Sequence, residues 1–283
     1  VGKFSYICYN NADKNMSKKI KVIVSGASGK MGRAIIGLIP SYENIVLTGA
    51  IEKKGHPLID QDISAISHAL KGVTILDDLR DAIGNADVII EFSSPEITLK
   101  HLEIAASYPD RAFIIGTTGF TKEQEAKIKE YAKKIACVKA PNMSTGMNTL
   151  FNTIGKIAKV LGEDYDAEIV ETHHKAKIDT PSGTAKKLGE VIAQSYGKNY
   201  DEIVSLGRKS QGARKKGEIG IHTVRAGSIV GEHRIIFAGG GEHIEITHRA
   251  ESRDAFAHGA LKAAQWITGK KSGLYGMNDV LGI

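Results

Sequence analysis

Residues 19–25 form a short, mostly apolar run that breaks at Gly26-Ala27-Ser28-Gly29-Lys30-Met31-Gly32; a helical stretch, 33–39, and a second apolar run, 46–52, follow. Strand, glycine turn, helix and strand in that order fit a right-handed crossover between neighbouring parallel strands. The scheme recurs downstream. Residues 87–92 read as a strand that ends at Ser93-Ser94-Pro95 and feeds a helix over 96–106. Residues 112–116 lead through Thr117-Thr118-Gly119 into a Lys/Glu-rich helix over 123–134, and residues 136–140 form a further strand closed by Pro141-Asn142-Met143-Ser144. Residues 73–76 are a shorter strand, and residues 53–70 are mostly a surface excursion. Runs this apolar belong to strands covered on both faces, so the fold class is α/β with a doubly wound parallel sheet.

The pattern changes after a helix over 146–161. Residues 165–172 are extended, and residues 220–225, 231–237 and 243–249 alternate polar with apolar, which suits a sheet with one covered face. A separate α+β domain with an open mixed sheet is expected there. Residues 255–268 return to helix, and 275–281 close the chain near the first domain. A chain of 283 residues is long enough for two cores. The expected division is 18–142 with 254–283 for the first domain and 143–253 for the second, with hinges near 142–145 and 251–255. Residues 1–17 lack the basic, apolar, small-residue order of a secretory signal. They are read as an N-terminal extension, either a remnant or disordered, with Met16 the original start.

Composition narrows the partners. The excess of Lys and Arg, 38 against 32 Asp and Glu, favours anionic ligands. Neither a zinc-finger spacing nor an aromatic-rich ribonucleoprotein motif accompanies it, so nucleic acid is not expected. Cys8 and Cys137 have no CxxC spacing, which fits a reducing, cytoplasmic setting. No apolar run approaches the roughly 18 residues of a membrane span, so no membrane partner is expected.

The glycine turn lets a chain bend sharply, approach a pyrophosphate and begin a close-packed helix whose free amides bind phosphate. Its Gly26-x-x-Gly29-x-x-Gly32 spacing departs from G-x-G-x-x-G, and a purely structural turn remains the competing reading. Glu52, at the end of the second strand, is positioned to accept ribose hydroxyls, whereas the adjacent Lys53 would attract a 2'-phosphate. Dual use of NADH and NADPH follows as an expectation. Phe92, Gly116-Thr117-Thr118 and Ala140-Pro141-Asn142 stand at later strand ends, where doubly wound sheets collect ligands.

Further on, Glu171-Thr172-His173-His174-Lys175-Ala176-Lys177-Ile178-Asp179-Thr180-Pro181-Ser182-Gly183-Thr184 packs proton-transfer groups, a cation and a turn before a helix over 185–194. Such a turn receives an anion on its free amides, and the imidazoles and ammonium suit acid/base work on a carboxylated substrate. A solvated basic loop is the alternative. His222, His233, His243 and His248 lie on or near the alternating strands and are either structural or substrate-facing. No His and carboxylate spacing defines a closed metal shell, so no metal is expected.

With these motifs in view, residues 18–281 strongly resemble the dihydrodipicolinate reductase family, the 4-hydroxy-tetrahydrodipicolinate reductases of bacterial and plant lysine biosynthesis. The resemblance rests on Val24-Ser25-Gly26-Ala27-Ser28-Gly29-Lys30-Met31-Gly32, Gly116-Thr117-Thr118-Gly119, Ala140-Pro141-Asn142 and above all Glu171-Thr172-His173-His174-x-x-Lys177-x-Asp179-x-Pro181-Ser182-Gly183-Thr184. It implies a Rossmann-like dinucleotide-binding domain, a substrate-binding and oligomerisation domain, and usually a homotetramer joined through the latter's sheet. It also implies NADH- or NADPH-dependent reduction of 4-hydroxy-tetrahydrodipicolinate, a small cyclic dicarboxylate, in the diaminopimelate route. His173 then matches the acid/base residue and Lys177 the residue assisting protonation and binding; His174, Ser182, Gly183 and Thr184 match substrate contacts. The implied cofactor set is Gly26, Ser28, Gly29, Lys30, Met31, Gly32, Glu52, Lys53, Phe92, Gly116, Thr117, Thr118, Ala140, Pro141, Asn142 and Arg253.

Two other readings share the glycine loop. A different nicotinamide-dependent dehydrogenase of small carboxylated substrates is one; its thiol-dependent form would need a placed cysteine, and Cys137 falls within a strand. A nucleotide sensor without catalysis is the other, and it would have little need for His173, His174 and Lys177 together.

Overall fold

The structure is a computed structural model and describes residues 19–208 and 211–283, so the extension read at 1–17, with Met16 and Cys8, lies outside the described residues. β1 (Ile20–Ser25) leads through the glycine turn into α1 (Lys30–Leu38), followed by β2 (Ile45–Ile51), β3 (Ile75–Leu76), α2 (Arg80–Ile83) and β4 (Val88–Glu91). Next come α3 (Pro95–Ala105), β5 (Ala112–Ile115), α4 (Lys122–Ala132) and β6 (Ala136–Lys139). These strands, joined by a late one, form a seven-stranded sheet described below.

α5 (Thr145–Leu161) opens the second unit, which continues with β7 (Asp166–His173), α6 (Gly183–Ser195), α7 (Tyr200–Ile203), β8 (Val204–Leu206), β9 (Ile219–Arg225), β10 (Gly231–Ala238) and β11 (His243–Ala250). The chain then returns through α8 (Asp254–Ile267) to β12 (Gly273–Tyr275) and α9 (Met277–Leu281).

The first sheet runs β12, β6, β5, β4, β1, β2, β3, and its pairs are all parallel. Chain direction across the sheet reverses between β1 and β4, and ligands of doubly wound sheets bind in the crevice at such a point. Both faces are covered, which explains the near-continuous apolar strands. Val22, Val24, Ile90, Ile114 and Val138 pack against α1, α8 and α9; Ile23, Ile89, Phe113 and Cys137 pack on the other face against α3 and α4.

The second sheet runs β11, β10, β7, β9, β8. β7 pairs parallel with β9 and antiparallel with β10, so this sheet is mixed. Ile169, Ile221, Ile235 and Phe237 turn inward against Met147, Phe151 and Ile154 of α5 and Leu188 and Ile192 of α6. The opposite face carries Glu168, His222 and Glu232, and among the described residues no helix covers it.

Several boundaries differ from the sequence expectation. α1 begins at Lys30, with Gly29 at its N-cap, so Gly32 lies in the helix instead of the turn. A Cβ on Gly32 would sit 2.7 Å from the Ala27 Cα; this glycine is required for close approach. α6 begins at Gly183, two residues upstream of the expected start, because the Ser182 hydroxyl caps it by accepting from the Ala185 amide at 3.2 Å. The excursion at 53–70 contributes Ile63, fully buried, to the core. β11 is an edge strand exposed along most of its length, with Ile244 38% accessible.

Candidate active site

The carboxyl ends of β1, β2 and β4 enclose a cleft of about 490 Å³ lined by Gly26, Ser28, Gly29, Glu52, Lys53 and Phe92. Gly26 holds φ at 73°, and a Cβ there would press on the Phe92 carbonyl carbon at 3.1 Å. Only glycine brings the two strand ends this close. The Glu52 carboxylate accepts from the Ser28 amide and hydroxyl, both at 2.6 Å, and from the Lys53 amide at 3.1 Å. Burial pushes its pKa up, but the Ser28 hydrogen bonds outweigh that and hold it below the usual range, so Glu52 stands ionised and fixed beside the loop. Lys54 and Lys100 add positive charge to the same walls. A backbone cradle that side chains would fill, a fixed carboxylate and nearby ammonium groups fit a dinucleotide.

A second cavity, about 320 Å³, shares Phe92 with this cleft and lies between the two sheets. Met31, Gly116, Thr118 and the stretch Ala140, Pro141, Asn142 line it from the first sheet's side. His173, His174, Lys177 and Thr184 line it from the second, and Arg253 from the return crossing. A third cavity, of about 720 Å³, shares His173, Lys177 and Thr184 with it and adds Thr117, Ser182 and Gly183. Lys30 and Gly32 line none of the three. Lys30 is nonetheless close enough to act on His174, whose pKa is pushed down by burial and further by the Lys30 and Arg253 charges.

His173 closes β7, and alternation along the strand places Glu171 on the same face. The His173 Nδ1 lies 2.5 Å from the Glu171 carboxylate. Arg225, on β9, donates to both Glu171 oxygens at 2.9 and 2.8 Å; the Thr223 hydroxyl and the Ser182 amide each donate at 3.1 Å. Burial pushes the Glu171 pKa up, yet hydrogen bonds from His173 and Arg225 hold it well below the usual carboxylate range. On the other flank His233, the β10 register partner of Glu171, meets His173 edge to face at 5.2 Å and pairs with the Ser182 hydroxyl at 3.0 Å. Burial, then the His173 charge, push His233 down to about 3, so this imidazole is neutral. His248 pairs with the Ser144 hydroxyl at 3.2 Å, and burial lowers its pKa too.

Lys177 Nζ lies 2.8 Å from Asp179. The Asn142 amide donates to the Thr184 hydroxyl at 3.2 Å, tying the loop after β6 to the start of α6. The arrangement joins an imidazole with an anionic partner, an ion-paired ammonium and a capped helix start around one cavity. It suits proton transfer to a carboxylated substrate beside a hydride carrier.

Glu171 was visible in sequence only as part of its segment, and Arg225 and Thr223 not at all; the parallel β7 and β9 register brings them together from about fifty residues away. His233 and His248 belong to the histidines left open between structural and substrate-facing, and both line the cavity.

The family described as "Dihydrodipicolinate reductase, N-terminus" matches residues 20–143, and "Dihydrodipicolinate reductase, C-terminus" matches residues 146–281. Among curated proteins, the 4-hydroxy-tetrahydrodipicolinate reductase of Geotalea uraniireducens (strain Rf4) is 48% identical over 267 residues, spanning 93% of this chain and 99% of the relative. That of Citrifermentans bemidjiense is 46% identical with the same coverage. A solved dipicolinate-bound dihydrodipicolinate reductase from Paenisporosarcina sp. TG-14 superposes with a TM-score of 0.69 at 25% identity, covering 92% of this chain and 98% of that one.

Proposed function

The chain belongs to the dihydrodipicolinate reductase family, and we propose that it reduces 4-hydroxy-tetrahydrodipicolinate, by way of dihydrodipicolinate, to tetrahydrodipicolinate in the diaminopimelate route to lysine. The observation that carries this reading is the meeting of His173, Lys177 and Thr184 with the strand-end loops at Gly116 and Ala140 around one cavity. When bound, the reduced nicotinamide supplies hydride to C4 of the ring. The chain's own groups do the rest. His173 exchanges the proton required at C3. Lys177 faces a substrate carboxylate and steadies the charge that develops in the ring. Thr184 and the Gly183 amide, at the start of α6, receive a carboxylate, with His174 beside it.

Residues 18–142 with 254–283 serve as the dinucleotide unit and residues 143–253 as the substrate unit. Gly26, Ser28, Gly29 and the start of α1 hold the pyrophosphate, while Arg253 stands near the junction. Glu52 takes ribose hydroxyls and Lys53 the 2'-phosphate, so both NADH and NADPH serve and no metal is needed. Comparable catalytic efficiencies with the two are expected; a preference above about 1000-fold, roughly 4 kcal/mol, would count against it. Among the described residues no helix is long and apolar enough to cross a membrane, in keeping with a cytoplasmic setting. The helix-free face of the second sheet, with Val224 41% accessible and Val170 and Ile236 half-buried beside it, is the surface for a homotetramer.

A coupled assay tests the reaction. Aspartate semialdehyde and pyruvate pass through the preceding synthase, and oxidation of NADH or NADPH is followed by absorbance. Turnover that requires every component is expected; tight dinucleotide binding without turnover would favour a nucleotide sensor.

A further inference from the structure

We propose that Glu171 is the positioning residue for His173, holding the ring with its proton on Nδ1 and leaving Nε2 bare for the substrate. The inference rests on the reading of His173 as the proton-transfer group.

An ionised carboxylate has no proton to give, so at 2.5 Å from Glu171 the His173 Nδ1 is the donor in both protonation states of the ring. The neutral ring is then restricted to one tautomer. Glu171 itself has no freedom to turn. It is fully buried, one oxygen accepts from His173 and Arg225, and the other accepts from Arg225, Thr223 and the Ser182 amide. The remaining edge of the ring faces Gly231, where an added Cβ would stand 3.1 Å from Nε2 and 3.3 Å from Cδ2. Both residues line the substrate cavity. Glycine at this position keeps a side chain from covering Nε2.

The other groups around His173 do not supply an anion. His233 on β10 is neutral, His174 and Lys177 on the following loop are neutral or cationic, and Arg225 on β9 is spent on Glu171 itself. Asp179 is engaged by Lys177. Among the described residues in contact with the imidazole, Glu171 is therefore the group that orients it and stabilises its charged form once it has taken a proton.

A purely architectural Glu171, anchoring Arg225 and the Ser182 turn, would leave tautomer and pH dependence untouched, and the test reads both. Histidine-labelled ¹⁵N spectra of the full chain, with His173 assigned by its loss in His173→Gln, are expected to show Nδ1 protonated and Nε2 bare in the neutral ring. Glu171→Gln is expected to lower kcat at least about tenfold with KM for the dicarboxylate within about threefold. Its pH–rate profile should differ from the wild-type one, because the anion at Nδ1 is lost. An Nε2-protonated neutral ring in the wild-type protein would overturn the proposal even if Glu171→Gln failed to fold. So would a folded Glu171→Gln with wild-type kcat and profile. Full turnover in His173→Ala would instead refute the underlying role of His173, which the tautomer measurement does not address.

Discussion

Lys177 and Thr184 both line the cavity between the sheets, and their partners suit the different tasks proposed for them. The Lys177 ammonium is paired with Asp179, whose side chain is 56% accessible, and ion pairs at that exposure hold little energy. In the proposed role the ammonium, itself 22% accessible, exchanges Asp179 for a substrate carboxylate. Lys177→Ala is expected to lower kcat at least about 100-fold. Thr184 offers one neutral hydrogen bond at a helix start, so Thr184→Ala should raise KM roughly threefold to tenfold with a smaller effect on kcat. Steady-state kinetics on the two purified variants separates the tasks; near-wild-type turnover and affinity in Lys177→Ala would dismiss its role. His173, His174 and Lys177 were legible because their chemistry is compressed into one segment. The environment that tunes them was not. Glu171 meets Arg225 and Thr223 only through the pairing of β7 with β9, and His233 only through β10; no local pattern encodes which strands become neighbours.

At the scale of elements, the start of α1 joins sequence to cofactor site most directly. Gly32 has ordinary helical geometry, but a side chain there would run into the Gly26 carbonyl oxygen and stand 2.7 Å from the Ala27 Cα. Gly32→Ala must therefore push α1 away from the loop whose amides it presents. Overpacking of this kind costs about 1–3 kcal/mol. Dinucleotide affinity is expected to fall at least tenfold, with a drop in Tm of about 2–10 °C. Fluorescence titration and thermal melts check both, and unchanged affinity would show that the loop does not depend on this contact. The same residue explains a misplaced boundary: spacing marks a glycine without distinguishing one needed for φ from one needed for room. β1, β2, β4, β5 and β6 were readable because burial on both faces leaves a near-continuous apolar run. β8 and β12, three residues each, and the four-residue α2 and α7 are too short for a period and exist through their neighbours. For β12 the neighbour is β6.

For the molecule as a whole, the proposed division into two units bears on motion, and the buried groups beside the cavity bear on acid stability. If cofactor and substrate groups stand on different units, as proposed, closure at 142–145 and 251–255 brings them together and excludes water. Small-angle scattering should report a smaller radius with dinucleotide and a dicarboxylate inhibitor than without them; an unchanged radius would count against closure. Acid stability follows from His233. Its folded pKa is pushed down to about 3, whereas an unfolded histidine titrates near 6.5. Below about pH 6.5 the unfolded chain takes up a proton that the folded chain refuses, so stability is complete above that value and falls as pH drops toward 3. Glu171 acts in the same direction at lower pH, since its folded pKa is depressed and its contribution is lost only below the ordinary carboxylate range. Between pH 6.5 and 5 the imidazoles dominate, with His174 and His248 shifted in the same sense. His233→Asn keeps a neutral partner for Ser182 and removes one titrating group. Urea unfolding at fixed protein concentration should give the variant a shallower loss of stability between pH 6.5 and 5, by up to about 1.4 kcal/mol per pH unit. Parallel slopes in variant and wild type would mean that His233 takes up its proton in the folded protein over that range.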